Sequence, residues 1–143
     1  MTPGQLIERL QVAAIHISNL REKLKFDALA FTGSSGSCVA FTMSVALNIP
    51  VIYVRKEGEQ SHGAVVESNS GAQRIGKYLI VDDFIASGST VRKIYTGIEL
   101  DSKNRSLKAP TCVGIYLYDS CGSDKTKILN SDTRVRVYHQ ASM

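Results

Sequence analysis

Two adjacent carboxylates, Asp82 and Asp83, close the apolar run from Tyr78 to Val81, and a turn of small residues follows, Ala86, Ser87, Gly88, Ser89 and Thr90. Paired acids repel phosphate, but they accept hydrogen bonds from the vicinal hydroxyls of a sugar. A small-residue turn that opens a helix does the opposite work. Its free amides, its hydroxyls and the positive end of the helix dipole cradle phosphate. The two halves together ask for a sugar phosphate with free hydroxyls. Thr32, Gly33, Ser34, Ser35 and Gly36 form a second turn of this kind after another apolar run, with amides and hydroxyls and little bulk, which suits a diphosphate. It lacks both the GK[ST] of a P-loop and the GxGxxG of a dinucleotide fold. Arg55 and Lys56 end a third apolar run, and His62-Gly63 follows a short way on.

The elements that must position these residues alternate along the chain. Leu6, Leu10, Ala13, Ile17, Leu20 and Leu24 recur at spacings of four and three, one apolar stripe on a helix, and Thr2, Pro3 and Gln5 form a capping-box start. The stripe is expected to pack on the core, and a seam this regular also suits a dimer. Short strands are expected at Asp27–Phe31, Pro50–Val54, Lys77–Asp83 and Thr111–Asp119, with an alternating edge strand at Arg134–His139. Helical patterns fall at Cys38–Asn48 and Thr90–Leu100. Nearly all-apolar strands alternating with helices predict an α/β protein, an open parallel sheet in the Rossmann-like manner with helices on both faces. Asp101–Pro110 reads as a surface link. Lys56–Gly76, with Gly58, Gly63, Gly71 and Gly76, reads as a mobile binding loop containing a short hairpin.

Composition sets the outer limits. At 143 residues the chain has the length of a single domain, residues 1–143. Hydrophobic residues at 43% and charged residues at 21% exclude a disordered chain. No apolar stretch suits a membrane span, and the start lacks the layout of a secretory signal. The cysteines Cys38, Cys112 and Cys121 are odd in number and include no C-x-x-C pair. That argues against a disulfide framework or a structural zinc site and makes a reducing cytoplasm the default. The net charge of +4 suits an anionic ligand. With the charges interspersed and no aromatic-plus-basic patch, nucleic acid is not expected.

The string VDDFIASGST, Val81 to Thr90, resembles the phosphoribosyl pyrophosphate (PRPP) motif of the type I phosphoribosyltransferases. The resemblance implies that fold with a reduced hood, supplied by the N-terminal helix and the last twenty or so residues. It implies that Asp82 and Asp83 hold the ribose hydroxyls, that Ala86, Ser87, Gly88, Ser89 and Thr90 hold the 5-phosphate, and that Phe84 lies against the base. Ser87 and Ser89 replace a commoner Thr and Gly and keep the side chains small. FTGSSGSCVA, from Phe31, stands where these enzymes carry a pyrophosphate loop, which assigns Thr32, Gly33, Ser34, Ser35 and Gly36 to pyrophosphate. PVIYVRKEGEQSHG, from Pro50, looks like the orotate phosphoribosyltransferase segment that ends a strand in Arg-Lys-Glu and brings a lysine and a histidine on a flexible loop. Arg55 and Lys56 then join the pyrophosphate ligands, and His62 matches the loop end. Glu59 and Gln60 stand in place of the loop lysine, which removes a positive charge from the leaving group.

The catalytic set implied is Asp82, Asp83, Lys56 and His62, with magnesium as cofactor and no protein-built metal cluster. The implied reaction moves ribose 5-phosphate from PRPP to a nitrogenous base, orotate or a purine, and releases pyrophosphate. The alternative is a PRPP- or nucleotide-binding regulator on the same fold. Homodimers are usual among such enzymes. Weaker candidates remain: Asp119 as a neighbouring strand-end acid, Tyr116 and Tyr118 on one face of their strand, and His16 at the surface beside the helical stripe. His139 carries no assignment.

Overall fold

A computed structural model describes residues 2–143 apart from 56–65, 71–73, 84–87, 121 and 123–124. In chain order the elements are α1 (Pro3–Leu24), β1 (Ala28–Phe31), α2 (Gly33–Leu47), β2 (Val51–Val54), β3 (Val66–Ser68), β4 (Lys77–Asp82), α3 (Ser89–Asn104), β5 (Thr111–Leu117), β6 (Thr126–Ile128) and β7 (Arg134–His139), with a closing 3-10 turn at Gln140–Ser142. All seven strands lie in one sheet, ordered β3-β2-β1-β4-β5-β7-β6. The inner five run parallel, and β3 and β6 pair antiparallel at the two edges.

The parallel centre follows from strands that are apolar on both faces. Along β4, Tyr78 and Ile80 face α3 while Leu79 and Val81 face α1 and α2, and all four are fully buried. Burial of a large side chain is worth about 1.5–3 kcal/mol, more than a surface polar contact contributes. The strand that carries the acids is therefore firmly held on both faces of the sheet. α1 begins at the expected capping box: Thr2 Oγ1 accepts from the Gln5 amide at 3.2 Å, and Gln5 Oε1 accepts from the Thr2 amide at 2.8 Å. Its stripe is absorbed by the chain's own core, where Ala13, Ile17 and Leu20 meet Phe31, Val39 and Met43. α1 and α2 both end at a left-handed residue, Lys25 and Asn48.

Four expectations need correction. α2 starts at Gly33, so the turn at 32–36 is a helix cap and first turn rather than a separate loop; Gly33, with φ of 70°, makes the corner in one step. α3 runs on to Asn104, extended by the Asp101–Arg105 pair one turn apart, so the link to β5 is shorter than expected. β7 is interior, because the short strand Thr126–Ile128 covers its outer side. The first arm of the expected hairpin is β3, but it pairs with β2, and residues 74–76 form no strand. Among the described residues no helix is long and apolar enough to cross a membrane.

Candidate active site

The strand order reverses between β1 and β4. From β1 the chain passes through α2 to β2 on one side; from β4 it passes through α3 to β5 on the other. The two helices pack on opposite faces, so a crevice opens between the C-terminal ends of β1 and β4, the usual ligand position in open α/β sheets. The first turn of α2 and the Gly88 start of α3 follow directly from these two strand ends.

Asp82 ends β4 with only 6% of its surface exposed, and its Oδ1 accepts from the Asp83 amide at 2.9 Å, which fixes one oxygen in the turn. Asp83 is half-buried. Ladder bonding continues past β5: the Tyr118 amide donates to the Asp82 carbonyl at 3.1 Å and the Asp119 amide to the Asp83 carbonyl at 2.9 Å. Asp119 thus stands beside Asp83 in the turn that ends β5, and Arg9 of α1 pairs with its carboxylate at 2.8 Å. The first half of α1 accordingly reaches this edge of the sheet, whereas the last residues of the chain build β7 within it.

Thr32 is buried at the α2 N-cap position. Gly36 packs so closely that a Cβ there would stand 3.0 Å from Phe31 Cβ and 3.3 Å from the Val81 carbonyl. The first turn of α2 therefore abuts the end of β4. Tyr118 locks it there, donating from its hydroxyl to the Ser35 carbonyl at 3.1 Å. Burial pushes the Tyr118 phenol up to about 12, helped by the negative charges of Asp83, Cys38, Asp82 and Asp119. Ser34 is exposed and its carbonyl accepts from Ser37 Oγ at 2.8 Å.

On the other side of the crevice Arg55 follows β2. Its guanidinium pairs with Glu67 of β3 and lies 5.9 Å from the Tyr53 ring, which stacks on Phe31 at 5.2 Å. Arg55 Nε is buried without a hydrogen-bond partner among the described residues. The expected pyrophosphate ligand is thus held by a carboxylate from the next strand. Lys56, His62, Phe84, Ala86 and Ser87 lie outside the described residues, as do Glu59 and Gln60.

At the far end of the acidic turn, Gly88 caps α3 in the left-handed region with φ of 84°. It is buried, while Ser89 and Thr90 are exposed in the first turn of α3. A Cβ on Gly88 would fall 2.2 Å from Lys127 Cε, 2.7 Å from Lys127 Nζ and 3.0 Å from an Arg92 terminal nitrogen. Neither cation was singled out by the sequence. Arg92 lies one turn along α3 from Gly88, a spacing that sequence could have suggested; Lys127 belongs to a three-residue strand far along the chain, and no local signal marks it.

Among the described residues no group of three or more His, Cys, Asp or Glu gathers as a metal site. Two histidines are built into the fold, His16, which was expected at the surface, and His139, which carried no assignment. His16 Nδ1 lies 3.0 Å from the Tyr116 hydroxyl, which donates to Gln140 Oε1 at 2.7 Å, so His16 is half-buried rather than a surface residue. His139 is buried at the end of β7, with Nδ1 2.7 Å from Ser120 Oγ. Cys112 is buried and Cys38 half-buried, both as free thiols, and Tyr116 and Tyr118 share one buried face.

No family model matches the chain, and no curated protein matches it. Solved structures do. Adenine phosphoribosyltransferase from Saccharomyces cerevisiae, complexed with D-2,5-dideoxy-2,5-imino-altritol 1,6-bisphosphate and adenine, superposes with a TM-score of 0.64 at 18% identity, over 97% of this chain and 80% of that one. Orotate phosphoribosyltransferase from Francisella tularensis gives 0.61 at 20% identity, over 97% and 67%. The orotate enzyme from Aeropyrum pernix gives 0.57 at 20% identity, over 98% and 76%. The chain therefore has the type I phosphoribosyltransferase fold.

Proposed function

We propose that this protein is a phosphoribosyltransferase that moves ribose 5-phosphate from PRPP to a ring nitrogen of a nitrogenous base, orotate or a purine, and releases pyrophosphate. One observation carries the reading. The acid pair Asp82–Asp83 and the glycine-capped start of α3 lie together at the topological switch point of a sheet that matches adenine and orotate phosphoribosyltransferases. In this reading Asp82 and Asp83 accept hydrogen bonds from the ribose diol, and residues 86–90 receive the 5-phosphate through amides and hydroxyls. The turn at 32–36 presents the free amides of α2 to the diphosphate.

The bond from C1 to pyrophosphate breaks as the bond to the base nitrogen forms, through a transition state with cationic character at C1. The acids sit beneath that charge. Arg55, Lys56 and the α2 amides stabilise the charge that grows on the leaving group. The resemblance places His62 on a loop that would cover the reacting carbon against water. Asp82 and Asp83 form a two-carboxylate donor set, which suits magnesium because that ion keeps water and substrate phosphates as most of its ligands. Bound with PRPP, magnesium would neutralise charge on the diphosphate. The expected partners are small molecules, and a homodimer in the cytoplasm is the proposed assembly and place.

A second reading, a PRPP- or nucleotide-binding regulator with little turnover, is favoured by the engagement of Arg55 by Glu67 and by Glu59 and Gln60 in place of a lysine. Incubation with PRPP, magnesium and a panel of bases separates the two. The transferase reading predicts pyrophosphate release with orotate or a purine. Tight PRPP binding without release from any base would instead establish the regulator.

A further inference from the structure

We infer that the molecule carries a second anion site, at the end of the sheet opposite the acid pair, and that it takes a nucleoside phosphate. Lys77 and Asp82 are the first and last residues of β4, roughly 17 Å apart along the strand, so the inference stands apart from the transferase reading. The segments that lead into β1, β4 and β5 are stitched together at this end. The Asp27 amide donates to the Lys77 carbonyl and the Thr111 amide to the Gly76 carbonyl, both at 2.8 Å. Asp27 Oδ2 accepts from the Gly76 and Lys77 amides at 2.8 and 3.0 Å. A cavity of about 330 Å³ opens among these segments, lined by Lys25, Arg74, Lys77 and Lys108 against a single carboxylate, Asp27. Lys25 caps α1 and complements the negative end of that helix. Arg74, Lys77 and Lys108 lie outside the helices, and among the described residues none of their side chains has a hydrogen-bond or ion-pair partner. Arg9, Arg55 and Arg105, by contrast, each meet a carboxylate. One acid with an oxygen committed to two amides does not balance four cations, and a bound anion relieves their repulsion.

A second chamber, also of about 330 Å³, shares Arg74, Ile75, Lys108 and Pro110 with the first. Its character is different. Ile98 and the exposed Leu107 give it apolar walls, and Ser102 and the Asp101–Arg105 pair add a few hydrogen-bonding groups. Together the two chambers have the size and the lining of a small-molecule site. Cations in one and apolar walls in the other select a ligand with phosphate at one end and a heterocycle at the other, apolar on its faces and polar at its edge. A nucleoside phosphate has that form. Arg74 and Lys108 border both chambers, so they stand where phosphate joins nucleoside, and a guanidinium suits that phosphate through paired hydrogen bonds.

The test is titration of the full chain with ATP, followed by calorimetry and by backbone amide NMR. The expected result is saturable binding that shifts the amides of Gly76, Lys77 and Thr111. The double variant Arg74→Gln, Lys108→Gln should lose affinity by roughly tenfold or more, the scale of a charged hydrogen bond, and should melt where the parent does because both side chains are exposed. Lys125→Gln with Arg134→Gln, which removes two exposed cations from the β6–β7 edge, should keep the affinity. Tripolyphosphate, which cannot fill the second chamber, should bind more weakly at the same amides. If the Arg74, Lys108 double variant does not fold, Lys108→Met alone carries the comparison. Shifts confined to Gly36, Asp83 and Ser89 would put ATP in the crevice and overturn the second site. Equal losses in the two double variants would overturn it as a general effect of charge, and so would an absence of ATP binding. Tripolyphosphate binding as tightly as ATP would overturn the assignment to a nucleoside phosphate. None of these results bears on PRPP binding at the acid pair.

Discussion

Tyr118 joins the two halves of the candidate site through one side chain and one amide. Its amide donates to the Asp82 carbonyl and its hydroxyl to the Ser35 carbonyl, so it couples the end of β4 to the first turn of α2. Tyr118→Phe should cost about 1 kcal/mol at neutral pH, the usual net worth of one hydrogen bond, read as a lower denaturation midpoint in urea. The pH dependence has a definite sign. Folding raises the phenol from 10.0 to about 12, so the folded state holds a proton that the unfolded chain gives up earlier. Stability is intact below pH 10 and declines as pH climbs from there toward 12. The Phe variant should decline less steeply over that window. The remainder belongs to Tyr78, Tyr116 and Cys112, which burial also raises. An identical alkaline slope in the two proteins would contradict this placement of Tyr118. At this scale the place of Asp82 and Asp83 at the end of β4 was legible because the apolar run before them is contiguous. The approach of Lys127 to Gly88 was not, because only the folded sheet brings them near.

The elements show the same division between local and long-range information. Strands β1, β2, β4 and β5 were readable from apolar runs, and α1 from its stripe and capping box, since these signals reside in contiguous residues. The start of α2 was not. Gly and Ser at 33–36 read as a loop by composition, yet they form a helical turn because α2 must begin at once to lie against the end of β4. The edge strand β6 is three residues long, too short to show alternation, and tertiary pairing creates it, while β3 was legible as a hairpin arm but not its pairing with β2. The close approach of α2 to β4 gives a test at this scale. In Gly36→Ala the new methyl would meet Phe31 Cβ and the Val81 carbonyl, both anchored in strands and unable to swing away. The variant should lose about 1–3 kcal/mol, as overpacked cores do, and should bind magnesium pyrophosphate more weakly as the turn is displaced. A melting temperature equal to that of the unaltered protein would show that α2 does not sit where described.

Across the whole molecule, five parallel strands converge their C-terminal ends on one crevice, and chemistry-bearing side chains reach it from elements on both faces. Asp82 and Asp83 arrive from β4, Thr32 through Gly36 from the β1–α2 corner, Arg55 from the end of β2, and Gly88 begins α3 beside Lys127. α1 closes the near side, tied by Arg9 to Asp119 and by His16 to Tyr116, which in turn bonds Gln140 near the chain's end. In the proposed reading this mildly basic chain takes a ligand with phosphate at both ends and hydroxyls between, with the pair Asp82 and Asp83 at the diol. The most direct measurement is calorimetric titration of PRPP in the presence of magnesium into the unaltered protein and into the double variant Asp82→Asn, Asp83→Asn. The account predicts saturable binding by the former. The variant should lose it by at least roughly a hundredfold, since two charged hydrogen-bond acceptors are removed, while its melting temperature stays close to that of the parent. Absence of PRPP binding by the unaltered protein, or equal affinity in the two, would contradict it.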